Sequence, residues 1–284
     1  ANNAQWVGFS MEVGPDGGLY VLDWHDADIC GKEVINGETG RIFRIMPKES
    51  LAKNWEGRYD NLTKLSDKQL VELQKSTSDW HSRRARVILQ ARATKGSLDK
   101  NAVADLQTIF QSNSNPDFRL RALWALHITN SITTGELLTS LSDTDEYVRA
   151  WAIQLLCEDK KPSADALAQF VKMAKEDPSP IVRLYLSSAM QRIDNETAWK
   201  IVENLSKHGE DNEDHNLPKM IWFGLEPLVK TNPNRALELA SQTQIPLIAK
   251  YVARRIIDAN MPEIVVASLA KNPKNQASML DILS

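Results

Sequence analysis

A chain of 284 residues with 42% hydrophobic and 25% charged side chains has the composition of an ordinary globular protein, long enough for one large core or two smaller ones. A formal net charge of −3 excludes a broad electrostatic footprint for nucleic acid or an anionic bilayer, and no stretch approaches the ~20 apolar residues of a membrane helix. The opening residues, ANNAQWVGFS, have neither a basic region nor an apolar run, so no signal peptide is expected in the chain as given, and Cys30 and Cys157 are too few and too far apart for a disulfide framework or a C-x-x-C metal or haem motif.

The first 50 residues read differently from the rest. Seven of the 12 glycines fall there, with eight acids against four bases. The turn signal Gly14-Pro15-Asp16-Gly17 separates a strand at Ser10 to Val13 from the apolar run Leu19 to Trp24. Gly40 to Ile45 supplies a third strand of alternating charge. Three short antiparallel strands do not stand alone, so this β-meander needs a larger sheet or the helical region to cover it. Residues 51–65 read as a linker.

From Ser66 the period becomes helical and recurs. DFRLRALWAL, DEYVRAWAIQLL and PIVRLYLSSAM share one plan: an acid or proline opens the helix, an aliphatic-arginine pair follows, and apolar residues recur at helical spacing. Arg83, Arg121, Arg149 and Arg183 mark the pattern at intervals of 38, 28 and 34 residues, and Lys219 and Lys250 continue it at 36 and 31. Shorter amphipathic stretches such as TTGELLTSLS and SADALAQFVKMA lie between. A two-helix unit of this length predicts a mainly α fold, an α-solenoid over residues 66–284 with about six repeats. The V-R-x-x-A order resembles HEAT repeats, and the marker arginine is expected to reach an acid at the start of its own or the next repeat.

Candidate chemistry concentrates in the segment DWHDADICGKE, residues 23–33. Asp23, His25, Asp26 and Asp28 could bind a divalent cation, and Asp23, His25 and Asp26 could position a general base. The spacing matches neither an EF-hand nor a zincin helix, and turn-capping by the aspartates explains the same residues. His81, His127, His208 and His215 have no companion ligands in a metal pattern. The arginines of HSRRARVILQAR read as a solvated helix face, and HGEDNEDH as a solvated acidic loop. In LPKMIWFGLEPL, Trp222, Phe223 and Glu226 form a candidate interaction surface. Pro227 predicts a kink or an end to that helix, and Glu226 reads first as a core carboxylate paired with Arg254 or Arg255.

Taken together, GPDGGLYVLDWHD…TGRIFRI resembles the last blade of the sorbosone-dehydrogenase-like β-propeller of PVC-type membrane-bound dehydrogenases, a haem-binding family. DWHSRRARVILQARA, DHNLPKMIWFGLEPLV and IAKYVARRI resemble successive stretches of that family's HEAT region. The resemblance implies a fragment of a longer extracytoplasmic (periplasmic or cell-surface) protein, whose partners are the remaining propeller and a cytochrome c domain. Cofactors in that parent would be c-type haem and either calcium or a quinone, with none held by this chain. Three functions follow as expectations: a non-catalytic scaffold or docking module with a protein partner on the solenoid surface, a contribution from the 23–33 loop to a quinone- or metal-dependent sugar or alcohol oxidoreductase site, or a free-standing protein-binding α-solenoid.

Overall fold

The computed structural model describes residues 6, 8–24, 40–48 and 57–271, together with 277 and 280. Strands β1 (Gly8–Val13), β2 (Leu19–Asp23) and β3 (Arg41–Ile45) form an antiparallel sheet in sequence order. The β1–β2 turn closes because Gly17 takes a φ of 74° and Asp16 folds back to accept the Gly18 amide at 3.0 Å. The other oxygen of Asp16 accepts from Tyr20 at 3.2 Å and Tyr59 at 2.9 Å, and Arg44 of β3 completes the ring with an ion pair. One buried carboxylate thus joins the turn, the third strand and the segment leading to the helices.

Cross-strand register sets Met11 opposite Val21 and Val21 opposite Phe43, with Leu22 opposite Ile42 one residue along and therefore on the other face. Only Val21 of these strands' large apolar side chains is buried, whereas Met11 (67%), Leu22 (43%) and Ile42 (70%) are exposed. Apolar surface consequently lies open on both faces of the sheet.

The molecule divides into two compact units, Ala1–Ser131 and Ile132–Ser284. In the first, α1 (Asp67–Glu72) packs against α2 (Asp79–Thr94) and α3 (Lys100–Ser112) against α4 (Pro116–Ile128), with α1 stacked on α3 and α2 on α4. In the second, the pairs are α5 (Thr134–Ser140) with α6 (Glu146–Leu156), and α7 (Ala164–Glu176) with α8 (Pro180–Ala189). They continue with α9 (Asn195–Leu205) and α10 (Leu217–Val229), then α11 (Pro233–Gln242) and α12 (Pro246–Asp258), with α13 (Pro262–Lys271) against the last pair. Helices α6, α8, α10 and α12 stack consecutively into one layer. The fold is therefore mainly α, built from stacked helical hairpins as the repeat spacing predicts.

Helix starts follow the caps in the sequence. Ser66 with Gln69 and Thr133 with Glu136 form capping boxes, and Asn115 and Asp145 each accept two amides of the first turn. Three helix ends share a different device. After α2, α4 and α12, Gly96, Asn130 and Asn260 take φ near 60° (68°, 54° and 60°), and the following residue donates back to the carbonyl five positions earlier. Each helix is closed there by a Schellman turn.

The marker arginines bind the layers together. Arg149 forks Asp177 at 2.8 and 2.9 Å, and Arg183 forks Asp211 at 2.6 and 2.5 Å, each acid lying 28 residues on, in the loop before the next layer helix. Arg183 also donates to the carbonyl of Asp177 at 3.1 Å, so consecutive rungs touch. Arg121 turns the opposite way, to Asp79 at 2.5 Å and to the Ser76 carbonyl at 2.6 Å.

Helix α10 resolves the oddity of its sequence. A Cβ on Gly224 would lie 2.2 Å from Met190 Cε and 3.1 Å from the Ser187 carbonyl, so the glycine lets α10 approach α8 closely. Pro227 neither stops nor breaks the helix at once, because α10 runs two residues further, to Val229. The Phe223 carbonyl, which a residue other than proline at 227 would satisfy, accepts instead from Gln191 Nε2 at 2.7 Å.

Candidate interaction surface

Along the α6–α8–α10 layer, aromatic side chains recur at matching positions. Trp151 sits two residues past marker Arg149 and Tyr185 two past marker Arg183; their rings lie 6.1 Å apart and tilted by 57°. A cleft of about 390 Å³ opens beside them, lined by Trp151, Gln154, Leu184, Tyr185, Ser188 and Met220, with Asn216 at its end. Its walls are apolar and aromatic. The side chains of Gln154, Ser188 and Asn216 make no hydrogen bond to any described residue, so a hydroxyl and two amides face the cleft free to bond solvent or a ligand. Burial raises the pKa of the Tyr185 phenol above its ordinary value, with the nearby Tyr147 adding to the effect, so it stays a neutral donor at physiological pH.

This combination binds extended polypeptide in a simple way. Aromatic faces bury apolar side chains at low entropic cost, and unpaired amides exchange hydrogen bonds with peptide N–H and C=O groups. Sequence reading placed the candidate surface further along, and α10 and α12 show what happens there. Trp222 meets Tyr251 at 5.3 Å with the rings tilted by 55°, Phe223 is 55% exposed, and Glu226 is engaged by Arg255 at 2.6 Å. Trp151, Gln154 and Tyr185 were missed, although aligning the repeats on their marker arginines sets both aromatics at the same offset.

Other expected sites meet different ends. Asp23 closes β2 as a buried carboxylate accepting from Arg41 Nε at 2.6 Å across the strand pair. His25, Asp26 and Asp28 lie outside the described residues, as do Cys30 and Glu33. Among the described residues no three His, Cys, Asp or Glu side chains come together to hold a metal ion. The acidic loop at 208–215 is not simply solvated, because Asp211 is buried on Arg183 and Asp214 accepts the amides of Asn216 and Leu217. His208 bridges Glu210 at 2.8 Å and the Ala174 carbonyl at 3.0 Å, a structural role. The buried Cys157 thiol is pushed up to about 11 by burial, which leaves it without thiolate character at neutral pH.

A second cleft, of about 570 Å³, opens between α9 and α11 and is polar. Arg235 lies over the Trp199 ring at 4.9 Å and donates to Glu203 at 2.6 Å and Glu196 at 2.8 Å, so its charge is spoken for.

No helix among the described residues is long and apolar enough to cross a membrane. No curated protein matches the chain. Residues 134–215, from the start of α5 to the loop before α10, match the family model for HEAT repeats, which build helical scaffolds that bind other proteins.

Proposed function

We propose that the chain is a non-catalytic protein-binding scaffold, and that the α6–α8–α10 cleft takes an extended segment of the partner. The observation that carries this reading is the cleft itself, where two aromatic rings stand beside a hydroxyl and two amides that bond no described residue, inside a HEAT-type stack. A photo-reactive amino acid placed at Ser188 tests it, with one at the exposed Lys172 of α7 as control. Adducts with a defined partner from position 188, lost when Trp151 is replaced by alanine, are expected. Equal labelling from both positions, or adducts indifferent to Trp151→Ala, would overturn it.

In the wider setting, the scaffold belongs to a longer extracytoplasmic dehydrogenase-like protein and holds its propeller and cytochrome domains in one assembly. The open apolar surface on both faces of the three-stranded sheet supports this, since an isolated blade lacks the neighbours that bury such side chains. Supplying the preceding propeller segment in the same polypeptide is expected to protect Met11, Leu22 and Ile42 from solvent labelling. Unchanged labelling would leave the free-standing scaffold as the better account.

A further inference from the structure

Helix α2 of the first unit carries a feature that neither the stacking nor the cleft of the second unit explains. Its segment DWHSRRARVILQARAT holds four arginines and one acid. Arg92 is held by Asp67 and by the carbonyls of Thr63 and Leu65, and Arg121 from α4 takes Asp79. Arg83 and Arg84 are exposed and solvated. Arg86 is half-buried and makes no ion pair with a described residue. Its guanidinium lies over the Trp124 ring at 4.9 Å, and its Nε is buried without an acceptor among the described residues.

Asp79, Arg83 and Arg86 follow one another at helical spacing on one face of α2, towards which Arg121 and Trp124 project from α4. The one acid on that face is already claimed by Arg121. Burial first, and then the positive charges of Arg121 and Arg83, outweigh the opposing pull of Asp79 and bring Arg86 down to about 10, so three cations share one carboxylate here. Elsewhere a carboxylate answers such an arginine, as Asp177 answers Arg149 and Asp211 answers Arg183. Half-burying a cation beside two others that share one exposed carboxylate is costly, and a further anion would offset that cost.

We propose that the α2–α4 face of the first unit is a docking site for an acidic segment of a partner protein, whose carboxylate enters the fork of Arg86 beside Trp124, with Arg83 as the flanking cation. A planar carboxylate fits the fork of a single guanidinium held over an indole. A phosphate dianion needs more donors than the site offers, because the α2 N-terminus is already capped by Ser78. This site is independent of the aromatic cleft, and either can fail without the other.

The test is fluorescence anisotropy of the full chain with a labelled short peptide of alternating glutamate and glycine, repeated across a salt series. Saturable binding that weakens with salt is expected, with Arg86→Gln costing about tenfold and Arg84→Gln, on a different face of α2, less than about twofold. Equal losses from Arg84→Gln and Arg86→Gln would overturn the proposal in favour of unspecific attraction, as would absent binding. A phosphoserine peptide or phosphatidylserine vesicles bound more tightly than the glutamate peptide would overturn the assigned partner. Thermal melting of Arg86→Met separates binding from packing: an unchanged or higher Tm with lost binding is expected, and a marked fall in Tm would make Arg86 a packing residue.

Discussion

Removing the carboxylate of Asp211 would leave Arg183 charged, with a side chain 3% exposed and only the Asp177 carbonyl at 3.1 Å and the exposed Glu210 carboxylate at 3.6 Å to answer it. Asp211→Ala is therefore expected to destabilise the protein by about 3–5 kcal/mol in urea unfolding, whereas replacing both partners by apolar residues of similar volume recovers most of the loss. Asp16 makes a second residue-scale case, with pH as the variable. Burial alone would raise its pKa, but the Gly18 amide, the Tyr59 and Tyr20 hydroxyls and Arg44 together hold it down to about 2. Because the folded value lies below the ordinary carboxylate value of about 3.9, its contribution is complete above that pH and is lost as pH falls towards 2. Near-ultraviolet circular dichroism of the sheet tyrosine environment should lose signal across that window, and Asp16→Asn should flatten the dependence. The acid was readable as a turn residue from Gly14-Pro15-Asp16-Gly17. Its ties to Arg44 and Tyr59 were not, because partners 28 and 43 residues away leave no mark on local sequence.

Elements end and meet where particular backbone geometry allows. Asn130 closes α4 at a φ of 54°, a conformation that glycine adopts freely and a β-branched residue resists. Asn130→Gly should be neutral to slightly stabilising, while Asn130→Val should cost about 1–2 kcal/mol in the same unfolding assay. At the α8–α10 contact, Gly224→Ala forces its new methyl onto Met190 and the Ser187 carbonyl, at an expected cost of about 1–3 kcal/mol despite alanine's better helix propensity. Here the sequence was only half legible. Pro227 looked like an interruption, yet it sits inside an intact helix, because Gln191 from the neighbouring hairpin takes the carbonyl that the proline leaves free, while Gly224 makes room for Met190. The marker arginines show the same division. Their spacing announced the hairpins, but Arg149 and Arg183 reach forward while Arg121 reaches back, and only the packed neighbours settle which. Trp151 and Tyr185 became visible as a surface only once their helices lay side by side.

At the scale of the whole molecule, stacked hairpins make stability a chain of nearest-neighbour terms rather than one shared core. Within the second unit, α8 packs on α6 and α10, and α12 packs on α10 and α11. The Arg183–Asp211 fork fastens α8 to the loop that leads into α10, so its loss acts first on those elements. Hydrogen exchange of Asp211→Ala should show amides of α8, α10 and the intervening loop exchanging faster, with smaller changes in α12 and little in α13. An even rise across all of these helices would mean that the unit opens as a single cooperative block. The gradient matters for binding too, because the aromatic cleft is built from α6, α8 and α10. A variant that loosens the α8–α10 junction should lower affinity for a cleft-bound segment even though Trp151, Gln154 and Tyr185 are untouched, since their relative placement depends on that junction. Affinity that survived Asp211→Ala unchanged would show that one hairpin's surface suffices.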